Sequence, residues 1–459
     1  MSRRTSSPSA AQIRWMNAAV VYEAMRARES STATDLMTAT GLSRPTVHTT
    51  CDWLIAQGLA VELPSDPAQD AQPGRPARRY RTDPRAGFVV SLEIRESQVT
   101  AAVADLTGRV CGELSRRVTP DPTLRAQATE HGPALARDVI ALAGIEPAAV
   151  WQVCVSIPAP VQSQGYARAT AAQYRAGTRD VITELADTLP WPVVAENDAN
   201  LAMIGEHWQG AAQGLADVVL LDVCEYGFGA GLIVNGRLVR GSSGLAGEMT
   251  AVDLLSGMGP AGGVPGKLVR LGAEAVLRAR DAAGPKPSAG EEGRLVGLAG
   301  GDPDRVTADM VFTAYDHGDP VARRIVDRIG AIVARPVAML ATLLDPELVV
   351  VYGLPADAAR RLMPTIEART FDLYRSRLAG PPPRLVLSAL GGRATVLGGV
   401  RRALNEVEGR LFGATHSDRW PAAPVPATGP TAVPAAEPTS GPTAVPAVEP
   451  PAVPAADAR

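Results

Sequence analysis

Residues Thr32–Ala60 read TATDLMTATGLSRPTVHTTCDWLIAQGLA. The stretch encodes two short helices around a tight turn. Thr32 can cap the first, with Asp35 at capping-box spacing, and Leu36 and Met37 supply its apolar face. Gly41 ends it, since only glycine passes cheaply through the left-handed conformation a tight stop needs. Ser43 caps a second helix, and Pro45 falls in its first turn, where a missing N–H costs nothing. Helix, short glycine-containing turn and capped helix make the helix-turn-helix pattern, whose second helix lies in a DNA groove.

That second helix has two faces. Val47, Cys51, Leu54 and Ile55 recur at helical spacing and define a buried stripe. At about 100° per residue, Pro45, Thr46, Thr49, Asp52 and Trp53 point away from it. Recognition helices read bases with their N-terminal turns, so the predicted DNA face is Ser43, Arg44, Pro45, Thr46, His48 and Thr49. Thr46 and Thr49 suit base edges, through the hydroxyl or the thymine-contacting methyl. Arg44 is placed for a phosphate, and His48 lies at the margin of the stripe. Gln57–Glu62 then reads as a helix stop running into a strand. After a polar loop, PGRPARRYR (Pro73–Arg81) reads as a β-wing that gathers Arg75, Arg78, Arg79 and Arg81. Arginine so placed suits phosphates or a narrow minor groove. Residues 1–85 hold 11 arginines and 8 acidic residues, a mildly basic module on a chain of net charge −3. The competing reading of the same residues is an ordinary helical hairpin followed by a basic linker.

The chain has 459 residues, 46% of them hydrophobic, which allows more than one large core. No run approaches the roughly 20 apolar residues of a membrane span, and the N-terminus lacks an apolar signal core. A cytoplasmic protein is the expectation. Cys51, Cys111, Cys154 and Cys224 are widely spaced, without disulfide or zinc spacing. Residues 411–459 are a Pro/Ala-rich tail that repeats Gly-Pro-Thr-Ala-Val-Pro-Ala, a composition that prevents helices and ladders and predicts disorder.

Between these ends, Phe88–Ile94, Gln98–Ala104 and Arg109–Val118 predict an antiparallel meander. A helix over about 124–143 and a strand at Val150–Ile157 follow. Val193–Ala195 leads into Glu196-Asn197-Asp198-Ala199-Asn200 and a helix to Gln209. A second meander covers Val218–Val223, Gly229–Val234 and Arg237–Arg240. Long helices fill about 303–344; then come strand Leu348–Tyr352, a helix, strand Leu385–Leu387 and a last helix from about Arg393. Two meanders, each followed by helices and more strands, predict an α/β protein of two similar lobes.

Five segments in this order resemble the ROK family of repressors and sugar kinases, within the actin-like ATPase superfamily. They are Glu196-Asn197-Asp198-Ala199-Asn200, Gly227-Phe228-Gly229-Ala230-Gly231, Gly241–Glu248 (GSSGLAGE), Asp345–Val350 (DPELVV) and Gly391-Gly392. With the helix-turn-helix in front, the chain is similar to the transcriptional-repressor branch, of which xylose repressors are typical. The resemblance implies a fold of class α/β: an N-terminal winged helix-turn-helix (1–85), then a two-lobed actin-like ATPase (ROK/hexokinase-like) effector domain (86–410). It also implies sugar-hydroxyl ligands at Asn197 and Glu248, and a carboxylate at Asp198 that in the family's kinases is the general base.

The chain departs from the kinase pattern. Where the kinases carry an Asp-x-Gly-Gly-Thr phosphate loop, it has Glu93-Ile94-Arg95-Glu96-Ser97. The glycines that let backbone N–H groups approach phosphate are gone, and Glu96 adds negative charge. The second loop begins Glu225-Tyr226, another carboxylate and a bulky ring. Two anions facing a polyanion repel it strongly in a partly dry cleft; Arg95 offsets part of this. The family's zinc ligands, a His after Gly-Glu and a cysteine cluster, are replaced by Met249-Thr250 and Gly257–Gly263, so neither metal nor other cofactor is expected. The expected protein is a DNA-binding regulator, a repressor, of carbohydrate metabolism or transport genes. It would act as a homodimer or homotetramer on an inverted repeat, with a sugar-like effector and a vestigial base at Asp198. Two alternatives stay open: an active ATP-dependent sugar kinase that carries a DNA-binding domain, and a ligand-independent regulator controlled by a protein partner.

Overall fold

Two five-stranded sheets with the same strand order organise the body of the molecule. The computed structural model describes residues 9–64, 78–120, 126–161, 178–224, 227–249, 263–283, 293–375 and 382–413. Arg75, Glu225, Tyr226 and the tail from 414 onward lie outside these residues.

The first sheet comprises β4 (Phe88–Ile94), β5 (Gln98–Asp105), β6 (Val110–Arg117), β7 (Val150–Ile157) and β8 (Val193–Asn197). Its order is β6-β5-β4-β7-β8, antiparallel within the meander and parallel from β4 outward. The second comprises β9 (Val218–Cys224), β10 (Gly227–Val234), β11 (Arg237–Leu238), β12 (Leu348–Tyr352) and β13 (Arg384–Leu387), in the order β11-β10-β9-β12-β13. The repeated order gives the two lobes that the repeated meander predicted. Near-continuous apolar runs such as Leu348–Tyr352, buried at every position, fit strands covered on both faces.

Three helices precede the sheets: α1 (Ala10–Arg26), α2 (Ala33–Thr40) and α3 (Arg44–Ala56). Thr32 and Asp35 form a reciprocal capping box on α2. Gly41 stops α2 at φ 71°, and its N–H reaches Met37 O at 2.8 Å. Ser43 caps α3 through the Thr46 N–H. Strands β1 (Ser31–Thr32), β2 (Ala60–Leu63) and β3 (Arg79–Thr82) form an antiparallel sheet with β3 in the middle. The sequence reading missed α1, although Ala18, Val21, Tyr22 and Met25 recur at helical spacing and are buried.

Elsewhere the differences are local. The helix expected over 124–143 is a single π turn at Gln127–His131 running into α4 (Gly132–Leu142). The reading omitted α5 (Thr178–Thr188), α7 (Gly263–Ala283) and α8 (Arg294–Ala299). The 303–344 segment breaks at Gly318 into α9 (Ala308–Asp316) and α10 (Pro320–Leu344), with Asp319 accepting from Val321 N and Ala322 N to restart the chain.

Helix α6 (Asp198–Gln209) and the last helix, α12 (Ala394–Phe412), cross at very close range; α11 (Ala356–Arg375) covers the second sheet. The crossing depends on two glycines. A Cβ on Gly205 would strike the Ala394 carbonyl, and a Cβ on Gly398 would strike the Leu201 carbonyl. Gly398→Ala is therefore expected to cost about 1–3 kcal/mol by overpacking. Gly297→Ala, in α8 with nothing within 4 Å of the added methyl, should be neutral or gain about 0.5–1 kcal/mol. Urea denaturation of both variants checks the contrast; equal effects would refute the close-approach argument.

Candidate functional site

The chain's candidate chemistry sits at two places joined by α12. One is the cleft between the lobes. Strand β8 ends at Asn197, whose Oδ1 caps α6 by accepting from Asn200 N at 3.1 Å, while its Nδ2 donates to Ala159 O. Asp198 follows in the first turn, half-buried, and accepts from Ala199 N at 2.9 Å. Glu248 reaches the same place from the second lobe through a β-bridge with Gly229, and is exposed at the cleft mouth. The structure thus brings together Asn197, Asp198 and Glu248. Beside them lies Asp222 on β9, which the sequence reading did not single out; it stands out only as a charge in an otherwise apolar strand.

Burial, opposed by Arg95, raises the Asp198 carboxyl to about 6. Burial and then the neighbouring Asp198 raise Asp222 to about 7, and the same two causes raise Glu248 to about 7. Asp222 and Glu248 thus each resist ionising beside the charge of Asp198.

At the cleft's edge, Arg95 donates to Glu93 Oε1 from Nε (2.9 Å) and Nη2 (2.7 Å), and to Tyr352 Oη at 3.2 Å. Tyr352 Oη in turn meets Thr395 Oγ1 at 2.9 Å, at the start of α12. Glu96, half-buried, turns its carbonyl to Gln127 Nε2. A second tie crosses between lobes: Glu196, 1% exposed, accepts from Arg240 (2.7 and 2.9 Å) and from Asn200 Nδ2, with Arg402 at 3.7 Å.

The other place is the N-terminal helix pair. Ser43, Arg44, Pro45 and Thr49 are exposed on one face of α3, and Thr46 is half-exposed with its hydroxyl 2.8 Å from Ser43 Oγ. Arg44 Nη2 donates to Thr34 Oγ1 at 3.3 Å, which steadies it at the turn. Three residues differ from the sequence reading. His48 is half-buried, with Nδ1 2.8 Å from Tyr80 Oη, so the ring joins α3 to β3 instead of presenting itself to a base. Arg78 is held by Glu62 (2.6 and 2.8 Å) and Asp52 (2.8 Å), because β2 and α3 bring those carboxylates to it just before β3. Trp53 does not point outward; it packs on Phe412, ring centroids 6.5 Å apart. Arg79, half-buried, donates to Ser30 Oγ at 3.0 Å. Arg81 is exposed.

Helix α12 connects the two places. At 19 residues it is roughly 28 Å long, and it runs from Thr395 beside Tyr352 to Phe412 between Tyr22 and Trp53. Near its end Glu408 pairs with Arg26 of α1 and with Arg401, and Arg26 also holds Glu23. Arg26 and Arg401 have side chains only 6% and 5% exposed.

Residues 90–405 match the model of the ROK family. The chain belongs to the ROK family. It is 32% identical to a glucokinase of Halalkalibacterium halodurans over 224 residues, 47% of this chain and 66% of that one. It is 26% identical to a xylose repressor of Caldicellulosiruptor bescii over 222 residues, 47% of this chain and 53% of that one. In fold it is similar to a ROK family transcriptional regulator, a homologue of the E. coli MLC protein: TM-score 0.64, 20% identity, covering 87% of this chain and 97% of that one. The mixed α/β fold is the sugar-kinase-like fold of ROK proteins. Among the described residues no helix is long and apolar enough to cross a membrane.

Two measurements test this geometry. Glu408→Gln removes the carboxylate that two buried guanidinium groups share and should cost about 3 kcal/mol; restoring stability by adding Arg26→Met and Arg401→Met would support the account, and an unchanged urea midpoint in the single variant would refute it. The second concerns pH. The raised carboxyls are protonated in the folded state over a range where the unfolded chain is ionised. Their stabilising contribution is therefore fully present below about pH 4 and is lost as pH climbs through 6–7. Asp222→Asn should flatten that loss, so its melting temperature relative to the wild type rises between pH 5 and 8; a constant difference would refute the assignment.

Proposed function

We infer that this ROK protein is a DNA-binding transcriptional regulator of carbohydrate genes, a repressor, whose kinase-like domain senses a sugar-like ligand and no longer transfers phosphate. Residues 1–85 form its winged helix-turn-helix, and residues 86–410 its effector domain. The observation that carries the reading is α3: capped at Ser43, packed on one face by Val47, Cys51 and Leu54, and exposing Arg44, Pro45 and Thr49 on the other. The sheet β1-β3-β2 stands where a wing stands, with Arg81 exposed. The likeness to a ROK regulator over 87% of this chain supports the same reading, since it extends beyond the 90–405 region.

Loss of phosphotransfer rests on the first loop. The Arg95 side chain fills the position of a kinase glycine and is tied to Glu93, and Glu96 adds a further negative charge. Phosphate needs open backbone N–H groups at such a loop. Sugar binding rests on Asn197, Asp198 and Glu248. Closure of the lobes on a ligand would move Tyr352 and Thr395, and with them α12, which is anchored to α1 and α3 at its far end. A ligand that prefers one lobe arrangement thereby biases the DNA-binding arrangement, allostery by differential affinity. Two recognition helices on an inverted repeat require a dimer or a higher oligomer.

Gel shifts on DNA upstream of the protein's own operon test the first part. Thr49→Ala should cost about 1 kcal/mol at its half-site. Arg44→Ala and Arg81→Ala should weaken binding to all sequences and each lower the salt slope by about 1. Wild-type binding by the triple variant would refute the interface. The glucokinase relative keeps one rival reading alive, an active sugar kinase. Incubation with ATP, Mg²⁺ and a hexose panel decides between them: we expect no ADP, and turnover abolished by Asp198→Asn would establish the kinase instead.

A further inference from the structure

Glu196 is the penultimate residue of β8, just before Asn197, and its carboxylate is buried. Its two oxygens keep different company. Oε1 stays within its own lobe, accepting from Asn197 N at 3.2 Å and from Asn200 Nδ2 at 3.0 Å. Oε2 meets two guanidinium groups. Arg240 of the second lobe takes it from Nε at 2.9 Å and from Nη2 at 2.7 Å. Arg402 of α12 places its Nε 3.7 Å from the same oxygen. That Nε is buried and has no hydrogen-bond partner among the described residues, while Nη1 of the same side chain is held by Glu406. An N–H···O bond is about 2.7–3.2 Å long, so Arg402 Nε falls short of Oε2 by roughly 0.5–1 Å.

Each of the three groups belongs to a different part of the proposed machinery. The backbone of Glu196 leads directly into Asn197 and Asp198. Arg240 opens the Gly241–Glu248 loop, and its carbonyl accepts from Ala246 N at 3.1 Å, which ties it to the segment that bears Glu248. Arg402 lies on α12 beside Arg401, which pairs with Glu408 and through it with Arg26 of α1. A carboxylate left buried without a counter-ion is costly, so Arg240 leaves Glu196 only if another cation takes its place. A buried donor without an acceptor is costly as well. The observed arrangement satisfies Arg240 and leaves Arg402 Nε bare; the alternative satisfies Arg402 Nε. Two states that trade one charge-assisted bond for another lie close in energy, as a switch requires.

We propose that Glu196 is a two-position switch: it holds Arg240 in the arrangement observed, and passes Oε2 to Arg402 Nε when the Gly241–Glu248 loop shifts with a ligand in the cleft. The exchange keeps the carboxylate paired throughout. It also reports the position of a cleft loop to the helix that reaches α1. The route is separate from the Tyr352–Thr395 contact, because it enters α12 about two turns further along. The inference rests on the reading of the cleft as an effector site.

A double-mutant cycle on the full chain tests the exchange without any ligand. The coupling between Glu196→Gln and Arg402→Met is read from urea denaturation, once in the wild-type background and once with Arg240→Met. Competition for one oxygen predicts weak coupling in the first background, and a coupling factor in the unfolding constant about ten-fold larger in the second. Equal coupling in both would overturn the switch, because a fixed triad has no such dependence. If Arg240→Met does not fold, Arg240→Lys keeps the charge and loses the two-nitrogen grip; it should raise the coupling by a smaller factor, and no rise would overturn the switch. Isothermal titration with D-glucose and D-xylose reads the ligand's part. Arg240→Met presets the exchanged state and should bind the sugar more tightly than the wild type, whereas Arg402→Met blocks that state and should bind it more weakly. Shifts in the same direction would overturn ligand control of the switch. Binding of neither sugar by the wild type would overturn that control together with the effector reading, while the cycle decides the exchange by itself.

Discussion

The contact on which the rest of the structure depends is the end of α12 against α1 and α3. Phe412 lies between Tyr22 and Trp53, and Glu408 lies between Arg26 and Arg401. Without it, α1–α3 would keep only lesser contacts with the lobes, such as Tyr22 beside Leu106. With it, the buried residues of the helix pair and those of α6 and α12 form one continuous hydrophobic cluster. A buried ion network of this kind adds little stability over an apolar equivalent, but it tolerates only one arrangement of its partners. That makes it suited to fixing an orientation and, under a competing force, to switching between two.

The opposite end of α12 explains why such a switch would answer to the cleft. Thr395 meets Tyr352, Tyr352 meets Arg95, and Arg95 is held on Glu93. The Arg95–Tyr352 and Tyr352–Thr395 links are each a single hydrogen bond across the seam between lobes, while α12 crosses α6 with no slack at Gly205 and Gly398. Small rearrangement at the seam therefore has few soft places in which to dissipate before it reaches α1. Arg95, at the position that the resemblance matches to a glycine of the kinases' phosphate loop, here belongs to this chain of contacts.

Much of the fold was legible in the sequence. The meanders, the β7 and β12 strands, and the caps at Thr32, Gly41 and Ser43 follow from short apolar runs and local capping chemistry, both of which act over a few residues. Helix α1 was missed although its buried residues keep helical spacing, because exposed Ile13, Met16 and Val20 blur its apolar face. Of the site, Asn197, Asp198 and Glu248 were found through the resemblance. Asp222 was not, because one acid in an apolar strand gains a charged neighbourhood only when Asp198 and Arg95 are folded beside it.

The sequence by itself determined the strands of both meanders, the helix pair α2–α3, that the body repeats one plan twice, and which face of α3 carries Arg44 and Thr49. These depend on spacing along the chain. Only the tertiary structure decided that His48, Arg78 and Trp53 serve the scaffold and that Asp198, Asp222 and Glu248 face one cleft. It alone joined that cleft to the N-terminal helices through α12. Those outcomes depend on partners that are distant in sequence, Tyr80 for His48, Glu62 for Arg78, Phe412 for Trp53 and Glu408 for Arg26. Local periodicity carries no information about such pairs.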